Sequence, residues 1–163
     1  AQYDPCAGRN LGINTPLFVA ATFTEARFDG DARSSNPDSP FCGARDGNDV
    51  PYIPRWECMV GAGLHLRNCG AELRVVYQSE TFTSGSNSTV PVNPVTGRPD
   101  ARIGKTDEIF TVDISAYYRL NPRAKLIGSI QNVFDEEYIV SRHPHGPRPN
   151  KPFTALIGLE VRF

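Results

Sequence analysis

Six stretches of the chain alternate hydrophobic and polar residues with a period of two. "WECMVGAGLHLR" sets Trp56, Cys58, Val60, Ala62, Leu64 and Leu66 on one side and Glu57, Met59, Gly61, Gly63, His65 and Arg67 on the other. "AELRVVYQSETF" opposes Ala71, Leu73, Val75 and Tyr77 to Glu72, Arg74, Val76 and Gln78. In "EIFTVDISAYYRL", Phe110, Val112, Ile114, Ala116 and Tyr118 oppose Thr111, Asp113, Ser115, Tyr117 and Arg119. The terminal "ALIGLEVRF" follows the same rule, with Ala155, Ile157, Leu159, Val161 and Phe163 sharing a side. "PLFVAATFTEARF" and "KLIGSIQNVFD" are less regular, with Leu17, Val19, Ala21 and Phe23 on one face of the first and Leu126, Gly128 and Ile130 on one face of the second. Side chains on a strand point alternately to its two faces, so this period predicts half-buried strands. No stretch carries a helical period, and the expected fold is all-β.

The connections alternate as well. "RNCGA" and "LNPRA" are tight-turn sequences, whereas residues 29–54, 83–107 and 138–152 form long links rich in Gly, Pro, Ser and Asp. Short turns at one end and long loops at the other are the habit of membrane β-barrels, with the long loops outside. The pattern predicts about six antiparallel strands in up-and-down order, forming one curved sheet that is part of a larger barrel. Its apolar faces are expected on the convex side, towards outer-membrane lipid. Eleven residues from Phe153 to Phe163, at about 3.3 Å each and tilted near 45°, cover roughly 26 Å, close to the apolar height of such barrels. Trp56, Phe110 and Phe153 would then lie near the outer interface and Tyr118 and Phe163 near the inner one, as an aromatic girdle requires.

Composition narrows the alternatives. A net charge of -1 gives no electrostatic basis for binding nucleic acid. No run approaches the ~18 apolar residues of a membrane helix, which leaves strands as the means of crossing. The four cysteines, Cys6, Cys42, Cys58 and Cys69, form no CxxC pair, so disulfides in an oxidising compartment fit better than zinc. In the barrel orientation Cys42 and Cys58 face the outside and Cys6 and Cys69 the periplasm. Pairing across ~25 Å is impossible, so the expected bridges are Cys42–Cys58 and Cys6–Cys69.

The run "NVFDEEYIVSRHPHGPRPNKPFTALIGLEVRF" resembles the C-terminus of TonB-dependent outer-membrane receptors. Asn132, Val133, Phe134, Asp135 and Tyr138 match the N-(L/V)-F-D-x-x-Y motif of their penultimate strand, and a Gly/Arg/Pro-rich loop and a final strand ending in Phe follow. "VPYIPRWECMVGAGLHL" resembles the segment where a Pro-x-x-Pro stretch enters an inward strand, and "GPRP" points to the ferric-dicitrate type. The resemblance implies that residues 1–163 are the C-terminal portion of a receptor barrel in the bacterial outer membrane. Its function would be TonB-dependent uptake of ferric citrate or a siderophore. The family barrel has more strands, and a plug domain that carries the TonB box; both would lie outside this chain. The implied partners are therefore membrane lipid, the rest of the receptor, TonB through that plug, the ferric chelate and the barrel-assembly machinery. Phe153, Ala155, Ile157, Leu159, Val161 and Phe163 resemble the insertion signal that this machinery reads.

Candidate chemistry lies in the last loop. Arg142, His143, His145 and Arg148 stand close together with no acidic residue from Ile139 to Pro152. Arg pairs bidentately with carboxylates, so an anionic chelate is the expected ligand. Pro144 splays the two histidines and no thiol or carboxylate joins them, which argues against a metal site. "DGDAR" and "DGND" lack the spacing of a calcium loop, and "TSGS" is not a nucleophile elbow. "GAG" at Gly61–Gly63 is read as small lumen-facing residues that leave room for a plug. No Ser/His/Asp set is present, so neither catalysis nor a cofactor is expected. The competing reading is a secreted, disulfide-stapled soluble β-sandwich that binds a ligand. It leaves the terminal Phe163 and the loop asymmetry unexplained.

Overall fold

The computed structural model describes residues 1–5, 12–30, 34 and 36–163. Nine strands form: β1 (Gln2–Tyr3), β2 (Leu17–Phe23), β3 (Trp56–His65), β4 (Cys69–Gln78), β5 (Ile109–Asn121), β6 (Ala124–Gln131), β7 (Ile139–Ser141), β8 (Arg148–Pro149) and β9 (Thr154–Val161), among the described residues. Seven make one sheet in the order β1-β2-β3-β4-β5-β6-β9, and β7 pairs with β8 in a separate ribbon. Every pairing is antiparallel. The sheet thus has one strand more than the alternation predicts. The addition is the two-residue β1, whose Gln2 and Tyr3 pair with Phe18 and Leu17.

The register tests the face assignment. Residues directly opposite in an antiparallel pair project to the same face. Val19 opposes Val60, Val60 opposes Val75, and Val75 opposes Val112. Leu73 opposes Ile114, which opposes Ile130; Tyr118 opposes Leu126, which opposes Leu159. The apolar sets of all six predicted strands therefore share one face of one sheet. Val60, Ile114, Leu159 and Ile157 remain 47%, 37%, 59% and 81% exposed, so no second sheet covers them. This rules out the β-sandwich, in which the same residues would be buried between two layers.

The opposite face carries Glu57, His65, Glu72, Arg74, Asp113, Tyr117, Arg119, Lys125 and Glu160. A hollow of about 470 Å³ opens on it, lined across five strands by His65, Glu72, Tyr117, Lys125, Ser129 and Leu156 among others. The sheet is concave on this side. His65 pairs with Glu72 at 3.2 Å and stacks on Tyr117 with ring centres 5.9 Å apart. The glycines here do not leave free room. A Cβ on Gly61 would lie 1.9 Å from the Phe18 ring, and one on Gly63 would lie 3.0 Å from Pro16. Phe18 and Pro16 already fill the space expected to be left for a plug.

From β2 onward, turns and loops segregate to opposite ends. Asn121 opposes Ala124 across a two-residue turn, where the Arg123 amide donates to Asn121 Oδ1 at 2.8 Å. The long loops, residues 24–55, 79–108 and 132–153, leave the other end. Much of the tightly packed interior lies in these loops. Cys42, Ala44, Thr83, Ser84, Asn93 and Ile103 are all buried there, while the sheet contributes Val112.

Cys42, Cys58 and Cys69 are free thiols, so the expected Cys42–Cys58 bridge does not form. Cys42 points into the loop interior, with Sγ 4.0 Å from Asn93 Oδ1. Cys58 lies on β3 opposite Ala21 and Tyr77. Burial, with Asp100 adding to it, pushes the Cys42 thiol above its ordinary pKa. The other expected bridge involves Cys6, which lies outside the described residues.

Candidate functional site

The N-V-F-D motif lies beyond the strand in which the sequence reading puts it. β6 ends at Gln131, and Asn132 and Asp135 both adopt positive φ, at 51° and 52°. A left-handed residue interrupts a strand, and Asn tolerates it better than most residues. Asn132 is buried, and its side chain closes the turn. Nδ2 donates to the carbonyls of Glu136 (2.9 Å) and Lys151 (3.1 Å), and Oδ1 accepts from the Glu136 amide (3.2 Å). Its own amide donates to Asp113 Oδ1 on β5 at 3.0 Å, and the Phe153 amide donates to Asp135 Oδ1 at 2.8 Å just ahead of β9. Tyr138 Oη donates to the Phe110 carbonyl at 2.9 Å. The motif knots the loop ends of β5, β6 and β9 together. Phe134 is left pointing out, 61% exposed.

Above this knot the three long loops form one cap. Asn87 and Asp49 exchange bonds: the Asp49 amide donates to Asn87 Oδ1 (2.6 Å) and Asn87 Nδ2 to the Asp49 carbonyl (2.9 Å). Asn93 Nδ2 donates to the Pro37 carbonyl at 3.0 Å and to Asp100 Oδ2 at 3.1 Å. Arg102 donates to Asp100 from Nε and Nη2 at 2.9 and 2.8 Å, and to Asp38 from Nη1 at 2.6 Å. The Arg102 guanidinium holds the Asp100 carboxyl well below the usual carboxylate range, and the two aspartates raise Arg102.

The four candidate ligand residues divide into two pairs. Arg142 turns inward: Nε donates to the Lys105 carbonyl at 2.8 Å and Nη1 to the Ala101 carbonyl at 3.2 Å. Beneath it Gly104 takes φ 148°, and a Cβ there would meet Arg142 Nε at 3.1 Å. His143 Nδ1 lies 3.0 Å from Tyr52 Oη, with the rings edge to face. His145 and Arg148 turn outward and are exposed. His145 lines an open crevice of about 450 Å³ with Asp38, Asn93, Thr96, Asp100 and Arg102. Lys151, nearby in sequence, donates to Gln131 Oε1 at 2.6 Å.

The sequence reading missed Tyr52, Asn93 and the Asp38–Arg102–Asp100 chain. Tyr52 had a signal, an aromatic residue in the Pro-flanked "PYIP" stretch, and the structure gives it φ 62°. Asn93 and Asp100 lie in aperiodic loop sequence that carries no such mark. Among the described residues no group of three or more His, Cys, Asp or Glu could hold a metal ion.

No protein-family model matches the chain, and no curated protein matches it. Solved structures do. The ferric citrate transporter FecA, in its unliganded form, shares 21% identity at a TM-score of 0.68, over 93% of this chain and 21% of that one. The likeness is one of fold. The ferric-catecholate import receptor Fiu from E. coli matches at 16% identity and TM-score 0.66, covering 95% of this chain and 19% of its own. The ferric yersiniabactin uptake receptor FyuA from Yersinia pestis matches at 16% and 0.67, covering 99% of this chain and 22% of its own. The chain spans about a fifth of each. It is all-β and has the up-and-down antiparallel arrangement of a segment of such receptor barrels.

Proposed function

We propose that residues 1–163 are the C-terminal portion of a TonB-dependent outer-membrane receptor barrel, working in the uptake of a ferric chelate such as ferric citrate or a siderophore complex. The observation that carries this reading is the register. It collects the apolar sets of six strands on one exposed face, with the three long loops at one end. A face of that kind is suited to lipid, and a polar concave face suits a lumen. The likeness to three ferric-chelate transporters and receptors supports the same reading. The chain contributes wall and outer loops. Coupling to TonB belongs to a plug outside it.

Within that role, His145 and Arg148 are the groups offered to an anionic chelate, since both are exposed. Arg142 and His143 hold the loop in shape behind them. The test uses the complete receptor in outer membranes. His145→Ala with Arg148→Ala is expected to weaken binding of radiolabelled ferric citrate or a ferric siderophore at unchanged surface display. Each charge-assisted hydrogen bond lost costs about 1.5–3 kcal/mol, roughly ten- to a hundredfold in affinity. Unchanged affinity at normal display removes this loop from the binding site.

A further inference from the structure

We propose that Tyr52 and His143 form a proton-sensitive latch, which holds the first and third long loops together at neutral pH and releases them in acid. Three nitrogens crowd one phenol oxygen. Tyr52 Oη accepts the backbone amides of Arg142 at 3.2 Å and His143 at 3.1 Å. A phenol oxygen has one proton and limited lone-pair capacity, and two amides use the latter. The remaining contact, 3.0 Å to His143 Nδ1, is therefore one in which the phenol donates. Nδ1 has to be the acceptor, so the imidazole is neutral and carries its proton on Nε2. Protonation would put a third N–H donor against an oxygen with nothing left to accept it, and the O–H would lose its own partner.

The surroundings fix the sign. From the second loop Arg102 and Asp100 act on the ring; from the first, Tyr52; from its own loop, Arg142 turns its guanidinium away to the carbonyls of Ala101 and Lys105, and His145 is exposed. Burial, with Arg102 adding to it and Asp100 opposing, lowers His143 below its ordinary 6.5. A histidine depressed in the closed state stabilises closure above its ordinary value, and that contribution is lost as pH falls below it. One proton is taken up on opening, so the opening constant rises by up to about tenfold per pH unit in that window. Tyr52 is well placed to pass the change on. Its own amide donates to the Phe82 carbonyl of the second loop at 3.0 Å, so the three loops meet at this residue.

The inference takes from the proposed function that the sheet is part of a barrel with these loops outside, and takes nothing from the ligand. The amides of Arg142 and His143 report the latch directly. Hydrogen exchange of the complete receptor in outer-membrane vesicles is followed from pH 7.5 to 5.0, each rate corrected with an unfolded peptide. Protection of these two amides is expected to fall below pH 6.5 by up to about tenfold per unit, while β3, β4 and β5 stay protected. Tyr52→Phe is expected to expose the two amides at pH 7.5 and flatten the response. His143→Gln keeps an acceptor without a titrating group and is expected to stay closed at pH 5.0. Loop protection that is independent of pH, or falls equally in His143→Gln, overturns the latch while the strands remain protected. Strands that exchange freely at neutral pH overturn the barrel reading and the latch with it.

Discussion

Replacing Asn132 with Ala removes the side chain that closes the knot between β5, β6 and β9. Three hydrogen bonds go: two donated by Nδ2, to Glu136 and Lys151, and one accepted by Oδ1 from the Glu136 amide. At about 1 kcal/mol net each they amount to about 3 kcal/mol. The Glu136 carbonyl keeps a bond from Asn150 Nδ2 at 3.0 Å, which limits its share of the loss. The backbone adds a second cost. Asn132 has φ 51°, where Ala is disfavoured by about 1 kcal/mol or slightly more. The expected total is about 4 kcal/mol, large for one substitution.

Asn132→Gly separates the two parts. It relieves the left-handed backbone but loses the same three bonds, and its extra freedom in the unfolded chain offsets part of the relief. It is expected to be destabilised less than the Ala variant by about 0.5–1 kcal/mol. The assay is urea unfolding of the complete receptor in lipid vesicles, followed by tryptophan fluorescence; Trp56 lies at the loop end of β3, where the knot also lies. If Asn132→Ala unfolds at the same urea concentration as the parent, the motif does not hold the strands together and the reasoning fails.

Two further substitutions test the two faces of the sheet. Gly61→Ala drives a methyl group into the Phe18 ring and is expected to cost about 1–3 kcal/mol; adding Phe18→Ala should recover part of it, a non-additivity readable in the same urea assay, and strict additivity would refute the contact. Ile157→Arg, at a position 81% exposed, should cost about 2–4 kcal/mol if it faces lipid but within about 0.5 kcal/mol if it faces water. Leu156→Arg on the concave face is the control. Heat-modifiable mobility of receptor from outer membranes reads both, and equal assembly of the two variants argues against lipid on the convex face.

What was legible in the sequence was whatever repeats. Alternation assigned Val60, Val75, Ile114 and Leu159 to one face because a strand has a fixed period, and the pairing of one strand with the next preserves it. The turn at Pro122 and Arg123 was legible for a similar reason, since few residue types suit a two-residue reversal. Asn132 to Asp135 were read as strand because Val133 and Phe134 continue an apolar run. The positive φ at Asn132 and Asp135, which ends the strand, is a tertiary outcome fixed by bonds to residues 113, 136, 151 and 153. The loop cap left no trace. Thr83, Asn93 and Ile103 are buried by contacts between loops far apart in sequence, and no local pattern announces them. The Cys42 pairing failed for the same reason: the expectation placed it by which end of the barrel it was on, and the thiol is held by Asn93 inside the cap.

The distribution of burial then bears on how the chain is stabilised. A sheet normally gains its stability by packing one face against another layer. Here the convex face is largely open, and the concave face holds a hollow edged by charged groups. Backbone pairing satisfies the strands' polar groups, but on its own it contributes little net stability. The sheet therefore depends on cover that this chain does not provide: on the convex side, lipid in the reading proposed above; on the concave side, protein or water. The loop cap differs. Its polar side chains are paired with each other and with backbone, and Cys42, Ala44 and Ile103 are buried within it, while Phe41, Val90 and Val95 stay exposed at its surface. Because the cap joins the loop ends of β2 to β9, it fixes the spacing of strands whose faces are still uncovered. Its contacts join residues tens of positions apart, as do the pairings of Val19 with Val60, Gln78 with Ile109 and Gln131 with Thr154 in the sheet, whereas β3–β4 and β5–β6 close across tight turns. Contacts between distant segments carry the larger closure cost, so the β3–β4 and β5–β6 hairpins are expected to form before the cap and the strand pairs that its loops connect.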